Sequence, residues 1–236
     1  MDQIEQERPI NQEKGLKTWL GKEIFGLILS GLALFLAAGT LKWVHGWVFI
    51  AALILIKILG DLWLLRTQKD LLIKRTTHKG KANKSWDLVL APLVAFSSLG
   101  ISILAGLDER FGWSSFERPW VLWVGLGLLV LGSLFIFWAM ASNSFFDGTV
   151  NIQAGHKVAT KGPYRFVRHP GYLGIFFMCL SIPLILDSML AYIATALFLV
   201  ALVIRTWLED RTLQKELPGY ADYARKTRFR MFPEIW

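Results

Sequence analysis

Residues 120–141 read WVLWVGLGLLVLGSLFIFWAMA, a run of 22 residues without an ionisable side chain. A transmembrane helix needs about 20 mainly apolar residues, so this run predicts a membrane span. Five further stretches qualify or nearly qualify as spans, and these are 24–41, 46–65, 86–107, 171–186 and 189–207. The sequence therefore predicts an all-α, polytopic membrane protein with about six transmembrane helices.

The composition supports this fold class. Of the 236 residues, 54% are hydrophobic and 19% are charged, and the mean hydropathy is +0.43. Soluble domains carry about 45–50% apolar and about 25% charged residues. A disordered chain, a disulfide scaffold and a typical cytosolic enzyme are therefore disfavoured. The single cysteine, Cys179, cannot form an internal disulfide, and we expect no metal site.

The positive charge is distributed unevenly around the predicted spans. Of the 26 Lys and Arg residues, 21 lie in the segments on one side of the six spans and three on the other. Because cationic loops stay cytosolic, both termini and the C-terminal region are expected in the cytosol. The net charge of +8 is thus a sign of topology, and nucleic acid is not expected as a partner.

Lys57, Asp61 and Arg205 are charged residues inside the predicted spans. Lys57 and Asp61 are one helical turn apart, so they form either a neutralised pair that packs the bundle or a polar contact to a ligand. Arg205 lies near the cytosolic end of the last predicted span, and Glu209 follows on the same helical face. Arg205 either reaches out to the interface or belongs to a functional site.

The loop at residues 151–174 is more polar and richer in Gly and Pro than a connector requires. Pro170 is expected to open the fifth span as its first helical residue, and Gly174 permits a close approach of backbone or ligand. This composition suits an amphipathic small molecule with an aromatic base and charges, although an interfacial loop that meets lipid phosphates is the alternative. The candidate side chains of this loop are His156, Tyr164, Arg165, Arg168, His169 and Tyr172.

Two motifs carry a resemblance to a known family. Residues 162–174 read GPYRFVRHPGYLG, and residues 209–213, which follow a predicted helical hairpin, read EDRTL. Over about residues 140–236 the chain resembles the isoprenylcysteine carboxyl methyltransferase family, which shares this pattern with phospholipid N-methyltransferases. These are integral membrane enzymes that use S-adenosylmethionine. The resemblance does not extend to the first three predicted spans.

The resemblance implies a site and a division of the chain. Arg205 matches the arginine that meets the carboxylate acceptor. Taken together with the predicted spans and the charge asymmetry, the resemblance divides the chain into a cytosolic N-terminal segment at 1–23, transmembrane helices 1–4 at 24–141, and a cofactor-binding region with helices 5–6 and a cytosolic tail at 142–236. The implied contacts to S-adenosylmethionine are Gln153, His156, Lys157, Val158, Ala159, Tyr164, His169, Pro170, Gly171, Tyr172 and Glu209.

The expected activity is methyl transfer from S-adenosylmethionine to a lipidic or membrane-partitioned acceptor. A carboxylate is favoured as the acceptor because Arg205 offers a planar fork of donors, and no general base is then required. N-methylation of a phospholipid amine is the nearest alternative, with His169 or Glu209 as the base. A membrane reductase that uses a nicotinamide cofactor and a non-catalytic membrane subunit are further alternatives. The oligomeric state is not predicted.

The chain also departs from the family pattern. Asp210 stands where the second member of an acidic pair is expected, and it is the shorter carboxylate. The tail that begins at Glu216 is one residue shorter than the eukaryotic pattern. These departures leave the acceptor open. Tyr220 and Tyr223 are expected to be interfacial anchors on the membrane surface.

The charge asymmetry makes a topology prediction. A reporter inserted at Gly112, between the third and fourth predicted spans, should be detected on the non-cytosolic side of the membrane, since the neighbouring segments carry few Lys and Arg residues. Reporters at the two termini are the matched controls and should give a cytosolic signal. A cytosolic signal at Gly112 would contradict the six-span arrangement.

Overall fold

The computed structural model describes residues 12–77, 84–153 and 155–236. The first 11 residues of the predicted N-terminal segment 1–23, and residues 78–83 of the loop after the second predicted span, lie outside the described residues. The described part is all-helical, without strands, and a short 3-10 turn lies at Gly162–Arg165. Its helices are α1 (Gln12–Ala38), α2 (Val44–Thr67), α3 (Lys69–Thr77), α4 (Asp87–Ala95), α5 (Ser97–Phe111), α6 (Pro119–Ser142), α7 (Pro170–Ile185), α8 (Ala191–Glu216) and α9 (Tyr220–Lys226).

Four described helices are long and apolar enough to cross a membrane: α1, α2, α6 and α8. Many of their large apolar side chains are exposed, among them Leu36, Trp123 and Leu197. A water-soluble globule does not leave so much apolar surface uncovered, whereas lipid covers it without cost. The chain therefore has the architecture of a multi-pass membrane protein.

The third predicted span is broken into two helices. α4 and α5 are bent by 47° at Phe96, and together they pass the length and hydropathy test for a span. Pro92 lies inside α4, where it lacks an N–H donor and its ring clashes with the carbonyl four residues earlier. Pro92 therefore weakens the helix on the N-terminal side of the break at Phe96. With the bent pair included, up to five described helical units are able to span a membrane.

The fifth predicted span is shorter than the others. α7 begins at Pro170, as the sequence predicts, and has 16 residues, which is below the length of a full span. Pro183 lies in its last turn and precedes its end at Ile185. The structure therefore confirms an all-helical protein with four or five helical units able to span a membrane, while the count of six spans stays a prediction.

Helices α6 and α7 pack backbone to backbone. A Cβ built on Gly174 would lie 2.5 Å from the carbonyl oxygen of Gly132, and a Cβ on Gly132 would lie 2.6 Å from the carbonyl oxygen of Gly174. In lipid there is no hydrophobic driving force for helix association, so membrane helices associate through close packing, which small residues permit. This contact confirms the close approach predicted at Gly174. It also fixes α7, whose first turn carries part of the predicted site.

Lys57 of α2 is paired twice. Its Nζ lies 2.5 Å from Glu23 Oε2 on α1 and 3.8 Å from Asp61 Oδ2 on its own helix. The pair inferred from helical spacing is therefore present, and a closer partner comes from the neighbouring helix. A cation in this position is stabilised by carboxylates rather than left alone in hydrocarbon.

A fully buried carboxylate ties together the end of the molecule opposite the 151–174 loop. Asp108 at the end of α5 accepts hydrogen bonds from the Ser114 backbone N–H at 2.7 Å and from the Ser114 hydroxyl at 2.5 Å. The Ser188 hydroxyl, in the turn between α7 and α8, also donates to it. These contacts satisfy a buried charge with three donors and hold the α5–α6 loop against the α7–α8 turn.

The glycine contact between α6 and α7 generates a matched pair of variants. Gly174→Ala should lower the free energy of unfolding by about 1–3 kcal/mol, since the new methyl group would collide with the backbone of α6. Gly127→Ala on α6 is the control, because a Cβ there meets nothing within 4 Å, and it should be neutral or slightly stabilising. Thermal unfolding in the same detergent measures both, and equal stability of the two variants would contradict this packing.

Candidate functional site

A cavity of about 590 Å³ extends from the 143–172 segment into the space between the helices. Polar and ionisable side chains line one part of it: Asn143, Thr149, His156, Tyr164, Arg168, His169, Tyr172, Arg205, Glu209, Tyr220 and Tyr223. The side chains that line it from the helices are mostly apolar, although Lys57 and several serines, among them Ser97 and Ser102, line it as well. The larger apolar ones are Phe49, Leu53, Val94, Leu129, Ile175, Met178 and Ile182. Its volume is in the range of small-molecule sites, which are typically about 300–1,000 Å³.

His156 offers an unused polar atom to this cavity. Its ring is stacked on Phe145, with the ring centroids 4.6 Å apart and the planes 15° apart. Burial lowers the pKa of His156 below its ordinary value of 6.5, so the imidazole is neutral at pH 7. Its Nδ1 is buried and has no hydrogen-bond partner within the described part of the chain. Such an atom marks a place for a ligand group.

Tyr164 is held by the fold around the 3-10 turn. The Tyr164 carbonyl oxygen accepts a hydrogen bond from the Tyr223 hydroxyl at 2.7 Å. The Tyr164 hydroxyl accepts one from Asn143 Nδ2 at 3.3 Å. Gly162 begins this turn with a φ of +59°, and a Cβ there would lie 2.2 Å from Ser142 Oγ, so both its conformation and its space require glycine. Burial raises the pKa of Tyr164, which keeps its hydroxyl protonated.

His169 stands directly before α7 and between the two acids of the second motif. Its Nδ1 lies 3.8 Å from Glu209 Oε1, and its Nε2 lies 3.3 Å from Asp210 Oδ1. Its ring also stacks on Tyr172, with the centroids 5.7 Å apart. The two sequence motifs therefore meet at this histidine, although they are separated by the α7–α8 hairpin.

Asp210 is the centre of a buried network of hydrogen bonds. Arg168 donates to both of its oxygens, from Nε at 2.7 Å and from Nη2 at 2.9 Å. Arg230 Nε donates at 2.9 Å, and the Tyr220 hydroxyl donates at 3.0 Å. Asp210 is 0% exposed, and a charge so deeply buried needs partners of this kind. The network joins the 162–170 segment, α8 and the C-terminal tail.

The structure corrects one expectation about the tail. Tyr220 and Tyr223 are only 4% and 7% exposed, and they belong to a buried cluster that also contains Tyr164. The prediction that they are interfacial anchors is therefore wrong. Their hydroxyls donate to Asp210 and to the Tyr164 carbonyl, because each buried phenol requires a hydrogen-bond partner.

Arg205 is enclosed by three acceptors. Its Nε donates to Asp87 Oδ1 at 2.9 Å, its Nη1 to the Tyr172 hydroxyl at 2.6 Å, and its Nη2 to the Gly148 carbonyl at 2.7 Å. The side chain is buried and does not reach out to the interface. Of the two alternatives that the sequence left open, this geometry favours the functional site.

Glu209 and Arg205 meet through a shared partner. The Tyr172 hydroxyl donates to Glu209 Oε2 and accepts from Arg205 Nη1. The Glu209 carboxylate and the Arg205 guanidinium are therefore linked in one chain of hydrogen bonds. Glu209 also lines the cavity, and its other carboxylate oxygen lies 3.8 Å from His169 Nδ1. The site therefore holds an acidic group available to a cation or a hydroxyl of a ligand.

Nine of the eleven predicted cofactor contacts line this cavity, and so does Arg205. The other two, Gln153 and Lys157, belong to the same loop but do not line it. Gln153 is partly buried and its carbonyl accepts a hydrogen bond from the backbone N–H of His156, whereas Lys157 is exposed. The nine residues that line the cavity are His156, Val158, Ala159, Tyr164, His169, Pro170, Gly171, Tyr172 and Glu209.

Sequence reasoning missed two residues beside Arg205. Asp87 is 0% exposed and accepts a hydrogen bond from Arg205. Thr149 lines the cavity and directly follows Gly148, whose carbonyl also accepts from Arg205. A signal for Asp87 was present, since it is an acidic residue one position inside the predicted span 86–107. An ionisable residue in a span is a functional hypothesis by default. Thr149 carried no comparable signal, because a threonine in a polar loop is ordinary.

The geometry defines a class of protein. It is an all-helical membrane protein whose cavity is lined by polar and apolar side chains and lies beside buried ion pairs. Residues 123–215 match the model of the isoprenylcysteine carboxyl methyltransferase (ICMT) family, which is a methyltransferase family. This match confirms the resemblance seen in the two motifs. The chain is therefore ICMT-like in this region.

Individual relatives agree with the family match. The chain is 24% identical over 188 residues to a probable protein-S-isoprenylcysteine O-methyltransferase of Oryza sativa subsp. indica, and the match covers 77% of this chain and 93% of that protein. It is 29% identical over 105 residues to the uncharacterized protein YpbQ of Bacillus subtilis, covering 42% of this chain and 61% of YpbQ.

A third relative carries a different name. The chain is 31% identical over 136 residues to the cobalt-zinc-cadmium resistance protein CzcN of Cupriavidus metallidurans, covering 56% of this chain and 59% of CzcN. The matches therefore span about three fifths of the lengths of YpbQ and CzcN. Within the described residues, no group of three or more His, Cys, Asp or Glu is placed to hold a metal ion.

The buried network around Asp210 generates a stability prediction. Asp210→Asn should lower the free energy of unfolding by about 3–5 kcal/mol, because it leaves the buried Arg168 without its carboxylate partner. Asp222→Asn is the control, since Asp222 forms an exposed pair with Arg225 and should change stability by less than about 1 kcal/mol. Thermal unfolding compares the two, and a small effect at Asp210 would contradict its central position.

Proposed function

We propose that this protein transfers a methyl group from S-adenosylmethionine to a carboxylate of a lipidic or membrane-partitioned acceptor. The observation that carries the proposal is that one cavity is lined both by nine of the predicted cofactor contacts and by mostly apolar side chains from the helices. A polar donor and an apolar acceptor need such a space in order to meet. The family match supports the reaction type, and the plant relative's name supports a carboxyl acceptor.

The residues of the polar part fit S-adenosylmethionine. The neutral His156 ring has a buried nitrogen without a partner in the described residues, which suits a hydrogen bond to an adenine or ribose group. The Glu209 carboxylate at the cavity suits the ammonium or the ribose hydroxyls. When bound, S-adenosylmethionine supplies a methyl group on a sulfonium, which an acceptor oxygen displaces in line.

The protein's part in such a transfer is to hold donor and acceptor in reactive geometry. Arg205 has five N–H donors, and three are used by described residues, so one remains on each terminal nitrogen. Two such donors suit a carboxylate acceptor. A carboxylate is already ionised near pH 7, so the reaction requires no base.

A second candidate is methylation of an amine, and one observation favours it. The charge of Arg205 is already compensated by Asp87, which reduces its attraction for an anionic acceptor. An amine must lose its proton before it reacts, so a base is needed. Glu209 and His169 lie at the cavity and are the groups available for that task.

The orientation in the membrane completes the proposal. The candidate site is built from the 143–172 segment and the C-terminal half of α8, and the neighbouring loops carry most of the Lys and Arg residues. We infer that this end faces the cytosol, where S-adenosylmethionine is made, with both termini on the same side. A bacterial inner membrane fits this arrangement.

Binding of S-adenosylmethionine to the purified full chain tests the donor half of the proposal. The wild type should bind, and Glu209→Gln should weaken binding about tenfold or more, because a hydrogen bond to a charged group is worth about 1.5–3 kcal/mol. Glu216→Gln on the same helix is the matched control, since Glu216 pairs with Lys84 outside the cavity. It should leave the dissociation constant within about twofold. A wild type that does not bind would contradict the proposal.

Transfer of a labelled methyl group into a membrane lipid extract separates the two acceptors. A methyl ester releases its label as methanol in mild base, whereas an N-methyl group keeps it. Base-labile label that disappears in Arg205→Ala, while S-adenosylmethionine still binds, would support the carboxylate. Base-stable label would support the amine instead.

A further inference from the structure

Asp87 joins the first half of the chain to the candidate site. It begins α4, outside the family match at residues 123–215, and it is 0% exposed. Its Oδ1 accepts from Arg205 Nε at 2.9 Å, and its Oδ2 accepts from the Val150 backbone N–H at 2.7 Å. One carboxylate therefore fixes both the arginine and the loop that runs beside it.

The loop is fixed on both sides of Thr149. The Gly148 carbonyl accepts from Arg205 Nη2 at 2.7 Å, and the Val150 N–H donates to Asp87. The conformation of Thr149 is thus set by the same ion pair that orients Arg205. Thr149 is itself one of the residues that line the cavity.

The hydroxyl of Thr149 has no partner. Its Oγ1 is buried, and no hydrogen bond to it is found from the described residues. A buried hydroxyl without a partner is unfavourable, so such a group normally has a ligand or a water molecule as its partner. Together with the two remaining N–H groups of Arg205, Thr149 supplies donors for an acceptor with two oxygens.

We propose that Thr149 donates a hydrogen bond to the acceptor carboxylate beside Arg205, and that Asp87 is the positioning residue that holds both of them. This inference rests on the proposed carboxyl methylation. It adds an acceptor contact from the 143–172 segment and a positioning residue from α4. The acceptor end of the site is then built jointly by the family-matched region and by the part of the chain before it.

The probe for the test is S-farnesylated N-acetylcysteine, compared with its own methyl ester. Both are titrated into the full chain in detergent with S-adenosylhomocysteine present. The ester has the same apolar group but no negative charge, so the difference between the two dissociation constants isolates the carboxylate contact. S-adenosylmethionine binding is measured on every variant as a check of the fold and of the donor site.

Thr149→Val removes the hydroxyl and keeps the shape of the side chain. It should weaken binding of the acid about tenfold and that of the ester by less than about twofold, since only the acid forms the charged hydrogen bond. Thr149→Ser keeps a hydroxyl and should stay within about threefold of the wild type for both. Equal losses for acid and ester, or a tenfold loss in S-adenosylmethionine binding, would overturn the assignment of Thr149 to the acceptor.

A double-variant comparison tests Asp87. In an Asp87→Asn background Thr149 is no longer held by the ion pair, so Thr149→Val should weaken binding of the acid by less than about threefold. Asp108→Asn is the matched background, because Asp108 is equally buried but lies at the other end of the molecule. There the tenfold effect should persist. A tenfold effect in both backgrounds would show that Asp87 does not position Thr149.

The outcomes separate this inference from the proposed function. A wild type that binds S-adenosylmethionine but not the farnesylated acid would overturn the inference and leave the donor assignment intact. A wild type that does not bind S-adenosylmethionine would contradict the proposed function itself. If Asp87→Asn does not fold, the comparison of Thr149→Val with Thr149→Ser still decides the acceptor contact.

Discussion

The organisation of the site depends on one constraint, which is that each buried carboxylate must be surrounded by donors. Asp210 meets it with two arginines and the Tyr220 hydroxyl, drawn from the 162–170 segment and the C-terminal tail. These partners are far apart in the sequence, so satisfying one acid holds both segments against α8. His169 and Tyr164 are then placed at the cavity as a consequence of this folding. The tail thus belongs to the site's framework rather than to the membrane surface.

The sequence predicts the apolar helices well and their interruptions poorly. Long uncharged runs such as 120–141 determine a helix whatever packs against them, and α6 occupies almost the predicted residues. The break at Phe96 lies four residues after Pro92 and the end of α7 two residues after Pro183, and the effect of a proline on a helix differs with its neighbours. Hydropathy averages over a window and does not register such local breaks. The side of the membrane on which each end lies remains a prediction from charge.

The candidate site was also predicted only in part: the sequence indicates its motif residues, whereas it does not indicate the partners that come from distant segments. Its motif residues lie close together in the sequence, and most of them line one cavity in the structure. Asp87 could not be paired with Arg205 from spacing, because 118 residues separate the two. Tyr220 was misjudged because a tyrosine two residues after a proline, in a basic tail, resembles an interfacial anchor. Its burial depends on Asp210, a partner that only the folded chain brings within 3.0 Å.

The two buried arginines of the cavity differ in what they leave unused. Arg168 donates hydrogen bonds from four of its five N–H groups, two to Asp210 and two to the carbonyls of Thr227 and Arg228. Arg205 donates from three of its N–H groups to described residues, and the two that remain belong to different nitrogens, Nη1 and Nη2. Both charges are compensated by a carboxylate, so charge alone does not distinguish them. The unused donors do, and they favour Arg205 as the acceptor contact and Arg168 as part of the framework.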